Sequence, residues 1–289
     1  MLSLLAAYSV DNGACGDFVT GAARWGDELV IGSFDQGACV LRRGEWVKLD
    51  LPSTMVNDVV VHQGALWVAT AEGLVRVAKD LSTVVYGEVA DNVPRSSPGL
   101  NHPGANALAV RGKELWVADV LGPVKVSDSG WRRYRWSVSG HSYQAVAACG
   151  ASTWVGSEDD GLAVRGLEIG GPNGRSDWHH VNALDGLPED WVMALACAGP
   201  AAAWVGTYRN GVGKVDAGGW TPVPGLESAW VQALAVQGST LWVGTADGLF
   251  RVTDTAEQVT TDDTWTLGVD GGQLLVGTRA GLGVYSVGG

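Results

Sequence analysis

Apolar residues in this chain come in short runs, each cut by a polar turn that carries a glycine, and the runs are variations on one phrase. One copy reads Leu66-Trp67-Val68-Ala69-Thr70 ahead of Gly73-Leu74, and another Leu241-Trp242-Val243-Gly244-Thr245 ahead of Gly248-Leu249. Taking the second residue of the phrase as an anchor gives Val30, Trp67, Trp116, Trp154, Trp204, Trp242 and Leu275, which are 37, 49, 38, 50, 38 and 33 residues apart by subtraction. The residue after each anchor is Ile31, Val68, Val117, Val155, Val205, Val243 or Val276, and the next is always Gly or Ala. β-Branching favours a strand. In a strand, the anchor and the small residue share one face, so each unit presents a bulky group beside a gap. Sheets packed face to face use that pairing, with each Trp covering the bare backbone of the next unit.

Around each anchor strand the pattern supplies three more. A second apolar strand follows the turn glycine, as in Leu249-Phe250-Arg251-Val252, and another precedes the anchor, as in Ala107-Leu108-Ala109-Val110. A fourth often carries Trp: Trp46, Trp131, Trp178 or Trp220. Four short strands recurring at this period are propeller blades, which bury their apolar faces only against neighbours. The sequence therefore predicts an all-β, seven-bladed β-propeller, one domain over 1–289. Its blades fall near 16–50, 55–87, 105–137, 142–182, 190–223, 229–260 and 263–289. The last unit lacks an outer strand, and the N-terminal run over 2–10 has no phrase of its own. That run is expected to complete the last blade and close the ring, removing two raw sheet edges. It has neither the basic start nor the small-residue cleavage site of a signal peptide.

Composition narrows the function. The formal charge of −12 disfavours nucleic acid and suits a cationic partner or plain solubility. No apolar run approaches the ~20 residues of a membrane helix, so no membrane contact is expected, and the propeller is expected to be monomeric by itself. The cysteines are Cys15, Cys39, Cys149 and Cys197, with no C-x-x-C pair to suggest zinc. Cys149 and Cys197 read as small buried residues on corresponding inner strands, whereas Cys15 and Cys39 fall near one face of the first blade, where either free thiols or a disulfide would fit. Free thiols favour a reducing, cytoplasmic compartment.

The chain resembles the two-component regulator propeller repeats. The resemblance rests on Asp185-Gly186-Leu187-Pro188 with Trp204-Val205-Gly206-Thr207, on Val231-Gln232-Ala233-Leu234 with Leu241 to Leu249, and on Leu51-Pro52 with Val56-Asn57-Asp58-Val59. It spans nearly the whole chain and consists of packing residues. It implies the propeller and a binding platform. Members often serve as extracytoplasmic sensor regions of hybrid histidine kinases, whereas this sequence holds no kinase or response-regulator segment.

In such a fold, the turn after each anchor strand and the link between blades share one face, the top. The candidate binding residues there are Phe34, Asp35, Glu72, Asp119, Asp159, Tyr208, Arg209, Asp247 and Arg279 on turns, and Trp191 and Trp230 on links. Aromatics beside carboxylates can hold a cationic side chain, a peptide or a sugar. The long link from Tyr86 to Ala105 is of a length that often carries function. Thr20, Asn57, Asn106, Gln144 and Gln232 stand ten before their anchors, aligned with Met193 and Trp265, and are expected to point into the channel and hold ordered water.

No catalytic set emerges. Gly140-His141-Ser142-Tyr143-Gln144 lacks the last glycine of a nucleophile elbow. Adjacent His179 and His180 point to opposite faces of a strand, and Gly170-Gly171-Pro172-Asn173-Gly174 leads into no helix that would receive a phosphate. The expected function is a non-catalytic propeller that engages a protein or peptide partner through its top face, a small ligand being the lesser case. One alternative is a metal-dependent hydrolase or lyase. It would draw Asp35, Glu72, Asp119, Asp159 and Asp247 around a divalent Ca or Mg ion at the channel mouth, with His102 or His141 as base; no other cofactor is expected. The other alternative is a carbohydrate-binding lectin.

Overall fold

The computed structural model describes residues 2–90, 92–169, 171–172 and 177–288. Of the glycine-rich stretch at 170–174, Gly170, Asn173 and Gly174 lie outside the described residues. The strands form seven antiparallel sheets. Their inner strands are Val19–Trp25, Val56–His62, Ala105–Arg111, Ala145–Cys149, Val192–Gly199, Val231–Gln237 and Thr264–Asp270, which define blades 1 to 7. Blade 7 takes the N-terminal strand Leu2–Tyr8 as its outer member, paired with Gly281–Val287, so the ring closes as the sequence predicts. Blade 4 departs from four strands: the two-residue strand Gly171–Pro172 adds a fifth outside Trp178–Val181.

The alternation of bulk and gap explains how the blades stack. Trp67, Trp116, Trp154 and Trp242 are all buried, each in a cluster with residues of the following blade. Where that gap is a glycine, it admits the β-branched residue that opens the next inner strand. A Cβ at Gly32 would strike Val56, one at Gly156 Val192, one at Gly206 Val231, and one at Gly244 Thr264 at 2.7 Å. Gly206→Ala is therefore expected to destabilise the fold by about 1–3 kcal/mol. Val231→Ala should restore part of that loss, a coupling that a double-mutant cycle in denaturant would read.

Both cysteine pairs are disulfides, and no described cysteine is free. Cys15–Cys39 ties the link after the closing strand to the third strand of blade 1. Cys149–Cys197 joins the inner strands of blades 4 and 5, which corrects the expectation that these two are separate buried thiols. The argument from free thiols to a reducing compartment falls with it.

Candidate functional site

The seven inner strands enclose a channel of about 510 Å³. In six blades, the residue just after the first of the inner strand is a β-bulge: Thr20, Asn57, Asn106, Met193, Gln232 and Trp265. A bulge re-aims one side chain out of the pleat, here into the channel, where all six line the wall together with Gln144. Three of them find partners in the neighbouring blade. Thr20 donates to the Val56 carbonyl, Asn57 to that of Ala105 at 2.8 Å and Asn106 to that of Tyr143 at 2.8 Å, so each fastens its blade to the next.

Main-chain bonds bring turns and links together at the channel mouth. Phe34 gives its N–H to the Phe18 carbonyl, Tyr208 to that of Trp191 and Ala246 to that of Trp230. The turn and the link of one blade thus stand side by side, and their rings meet. The result is one run of six aromatic rings across blades 5, 6, 7 and 1. Trp191 stacks on Tyr208 at 4.2 Å, and Tyr208 meets Trp230 edge-on at 5.0 Å. Trp230 meets Trp265 at 6.2 Å, Trp265 meets Phe18 at 4.9 Å, and Phe18 meets Phe34 at 5.0 Å. Two arginines lie on the run: Arg209 over Tyr208 at 4.8 Å, and Arg279 over Phe18 and Trp265 at 5.2 and 5.1 Å. Asp263 holds the second of these, accepting from Arg279 at 3.0 Å and from the Trp265 indole at 2.8 Å. The indole N–H groups of Trp191 and Trp230 are buried without a hydrogen-bond partner.

The candidate residues therefore divide. Phe34, Trp191, Tyr208, Arg209, Trp230 and Arg279 come together in the aromatic run. Asp35, Glu72, Asp159 and Asp247 stay on exposed turns, and none is bonded to another of the set. Asp35 accepts from Ser33 at 2.9 Å, and Asp159 accepts the His141 N–H at 2.9 Å. Asp119 is corrected outright. It is fully buried and stands three residues after its anchor, where other blades carry Thr70, Thr207 and Thr245, and it fastens the long link by accepting the N–H groups of Asn101 and His102 at 2.6 and 3.1 Å. Among the described residues no three His, Cys, Asp or Glu side chains gather around a point that would hold a metal, so the hydrolase or lyase alternative has no ligand set. Ser142 does adopt a left-handed φ of 53°, but its hydroxyl meets Gln144 rather than a histidine.

Phe18 is not among the sequence candidates, and Trp265 is aligned with the channel-facing positions rather than counted among the candidate binding residues. Phe18 could have been found: it precedes Val19 as Trp191 precedes Val192 and Trp230 precedes Val231.

Three carboxyls give the fold a pH signature. Burial drives Asp119 up to about 7 despite the N–H groups of Leu121, His102 and Asn101. Desolvation in the channel wall likewise raises Asp58 to about 7, although Leu108 and Val59 donate to it. Burial also opposes the charge on Glu114, but Arg111, Lys125 and Trp116 outweigh it and hold that carboxyl at about 2. A raised carboxyl binds its proton more tightly when folded, so its contribution is complete below the unfolded pKa and lost as pH rises through the folded one; a lowered carboxyl does the reverse. Stability should rise between about pH 2 and 4.5 as Glu114 ionises and fall between about pH 4 and 7 as Asp58 and Asp119 do, the falling limb being the larger because two carboxyls drive it. Denaturant titrations across pH would show a maximum near pH 4, and Asp119→Asn should flatten the falling limb.

No family model matches the chain, and no curated protein matches it in sequence. Solved structures do. The extracellular domain of the hybrid two component system BT3049 from B. thetaiotaomicron aligns with TM-score 0.79 at 16% identity over 98% of this chain. That of BT4673 from the same organism aligns with TM-score 0.75 at 15% identity over 98%. The chain spans 42% of the length of each. Virginiamycin B lyase from Staphylococcus aureus aligns with TM-score 0.69 at 15% identity, covering 99% of both chains. At these identities the likeness establishes the fold, a seven-bladed β-propeller similar to the extracellular propellers of two component systems.

Proposed function

We propose that this propeller is a non-catalytic binding module of the two-component regulator repeat type, whose channel mouth engages a cationic segment of a peptide or protein partner. The aromatic run carries the reading. The chain's own guanidiniums lie on its faces, one of them paired with Asp263, and this arrangement of cation, rings and carboxylate supports a cation as the ligand class. The exposed acids Asp35, Glu72, Asp159 and Asp247 and the net charge of −12 steer the same class of ligand. The two disulfides support an oxidising compartment, in keeping with the word extracellular in the names of the similar structures.

The test is a fluorescence-anisotropy array of labelled 12-residue peptides at net charge +3, 0 and −3, each with and without a central aromatic residue. Wild type should bind the +3 peptides best, and more weakly as salt rises. Trp191→Ala and Trp230→Ala should each weaken binding at least about 10-fold. Reversing the charge of Asp35, Glu72 and Asp247 together should also weaken it. Unchanged binding in these variants would remove the site from this face.

A further inference from the structure

The ring of channel-lining side chains is secured on one side and open on the other. Blades 1, 2 and 3 use Thr20, Asn57 and Asn106 to bond the following blade, and Gln144 of blade 4 is held by Ser142 and Glu158 at 2.9 and 2.8 Å. Blade 5 places Met193 there, which needs no such partner, and blade 7 places Trp265, whose indole donates to Asp263 at 2.8 Å. Blade 6 places Gln232. It lines the channel and is 9% exposed, yet neither its amide nitrogen nor its amide oxygen meets a partner in the protein. A primary amide buried with both ends unpaired works against the fold, and such groups persist where a ligand completes them. Gln232 stands two residues beyond Trp230, at the foot of the aromatic run.

We propose that Gln232 is the polar anchor of a peptide subsite in the channel mouth. Both amide atoms are shielded in the free protein, so the side chain turns toward the channel axis as an extended cationic segment enters, its Nε2 then donating to one main-chain carbonyl and its Oε1 accepting one main-chain N–H. This deepens the partner reading above and rests on it. A primary amide donates from its nitrogen and accepts at its oxygen, a pairing that suits the adjacent C=O and N–H of a peptide main chain. The rings supply the apolar floor for the peptide's side chains, and the acidic rim selects its charge. A 510 Å³ channel lies within the range of ligand pockets, with room for side chains to enter.

The experiment pairs stability with binding. Gln232→Met installs the side chain that blade 5 carries at this place, and Gln232→Leu is a second variant should the thioether pack poorly. Removing an unpaired buried amide should raise the melting temperature of the free protein by about 2–4 °C. It should also weaken the tightest array peptide at least about 10-fold. A scan replacing single amides of that peptide by esters adds a direct readout, since each ester deletes one N–H. One position should cost wild type about 10-fold and the Met variant nothing. If both variants melt lower, or bind as wild type does, or if no ester position is sensitive to Gln232, the amide serves the fold and the inference is overturned, while the partner reading stands on the Trp191 and Trp230 variants. If no peptide in the array binds wild type, both are overturned.

Discussion

Cutting the Cys149–Cys197 crosslink, by reductant or by Cys149→Ser with Cys197→Ser, is expected to lower the unfolding free energy by about 4 kcal/mol. The bridge joins positions 48 apart. Closing a loop of that length in the unfolded chain removes about that much entropy in the chain-entropy account. Folded-state geometry adds a reason for the effect to be seen. The two half-cystines lie on inner strands of adjacent blades, and blades hold each other by side-chain packing rather than by a continuous ladder. Cys15–Cys39 closes a shorter loop of 24 residues and should contribute about 3.5 kcal/mol. The two losses should differ in kind. Cys15 follows the closing strand, so freeing it should speed hydrogen exchange in Leu2–Tyr8 and its partner Gly281–Val287 before the rest of the ring loosens. Freeing Cys149 should lower global stability without singling out that pair. Thermal melts with and without reductant, read beside exchange on the two serine pairs, measure both effects. A melt indifferent to reductant would mean that the bridges do not support the ring.

Trp154→Ala is expected to cost about 4–5 kcal/mol, the upper part of the range for truncating a buried large aromatic. Trp154 is fully buried, and its indole donates to Ser152 at 2.9 Å. It shares one cluster with Val192, Ala203 and Val205 of the next blade, and with Cys149. The blade interface cannot collapse into the space left, because the strands on both sides are fixed by their own ladders. Since Trp154 and the Cys149–Cys197 bridge secure the same pair of blades, their losses should not add. Once the bridge is cut, the Trp deletion should cost less by at least about 0.5 kcal/mol. Outer-strand Trp46, only half-buried, should cost distinctly less than Trp154 when cut to Ala. Denaturant midpoints for the four proteins of the cycle decide this.

Much of the architecture was legible because it follows from local pattern. A β-branched residue between a Trp and a Gly identifies a strand and its two faces from five letters of sequence. Seven copies of the phrase, 33 to 50 residues apart, determine the blade count, and a missing last strand beside a surplus first one determines how the ring closes. The candidate face was legible for the same reason, since strand order alone places turns and links on one side. Trp191, Tyr208 and Trp230 could be sent to a common rim before any contact was known. Asp119 failed through register: read as a turn acid like Asp247, it occupies the place of Thr245, two residues earlier, where a side chain points inward and must find backbone N–H groups.

What the sequence determined by itself is thus the strands, the seven blades, their face-to-face packing and the side on which loops gather, because each depends on periodicity and residue volume within one unit. The tertiary structure alone decided which groups meet across units. The Cys149–Cys197 bridge, the six-ring run and the unpaired amide of Gln232 all depend on bulges that re-aim one side chain and on the angle between neighbouring blades. A bulge is a choice of hydrogen-bond partner between strands, and the angle is set by ring closure, so neither is written in any local stretch of residues.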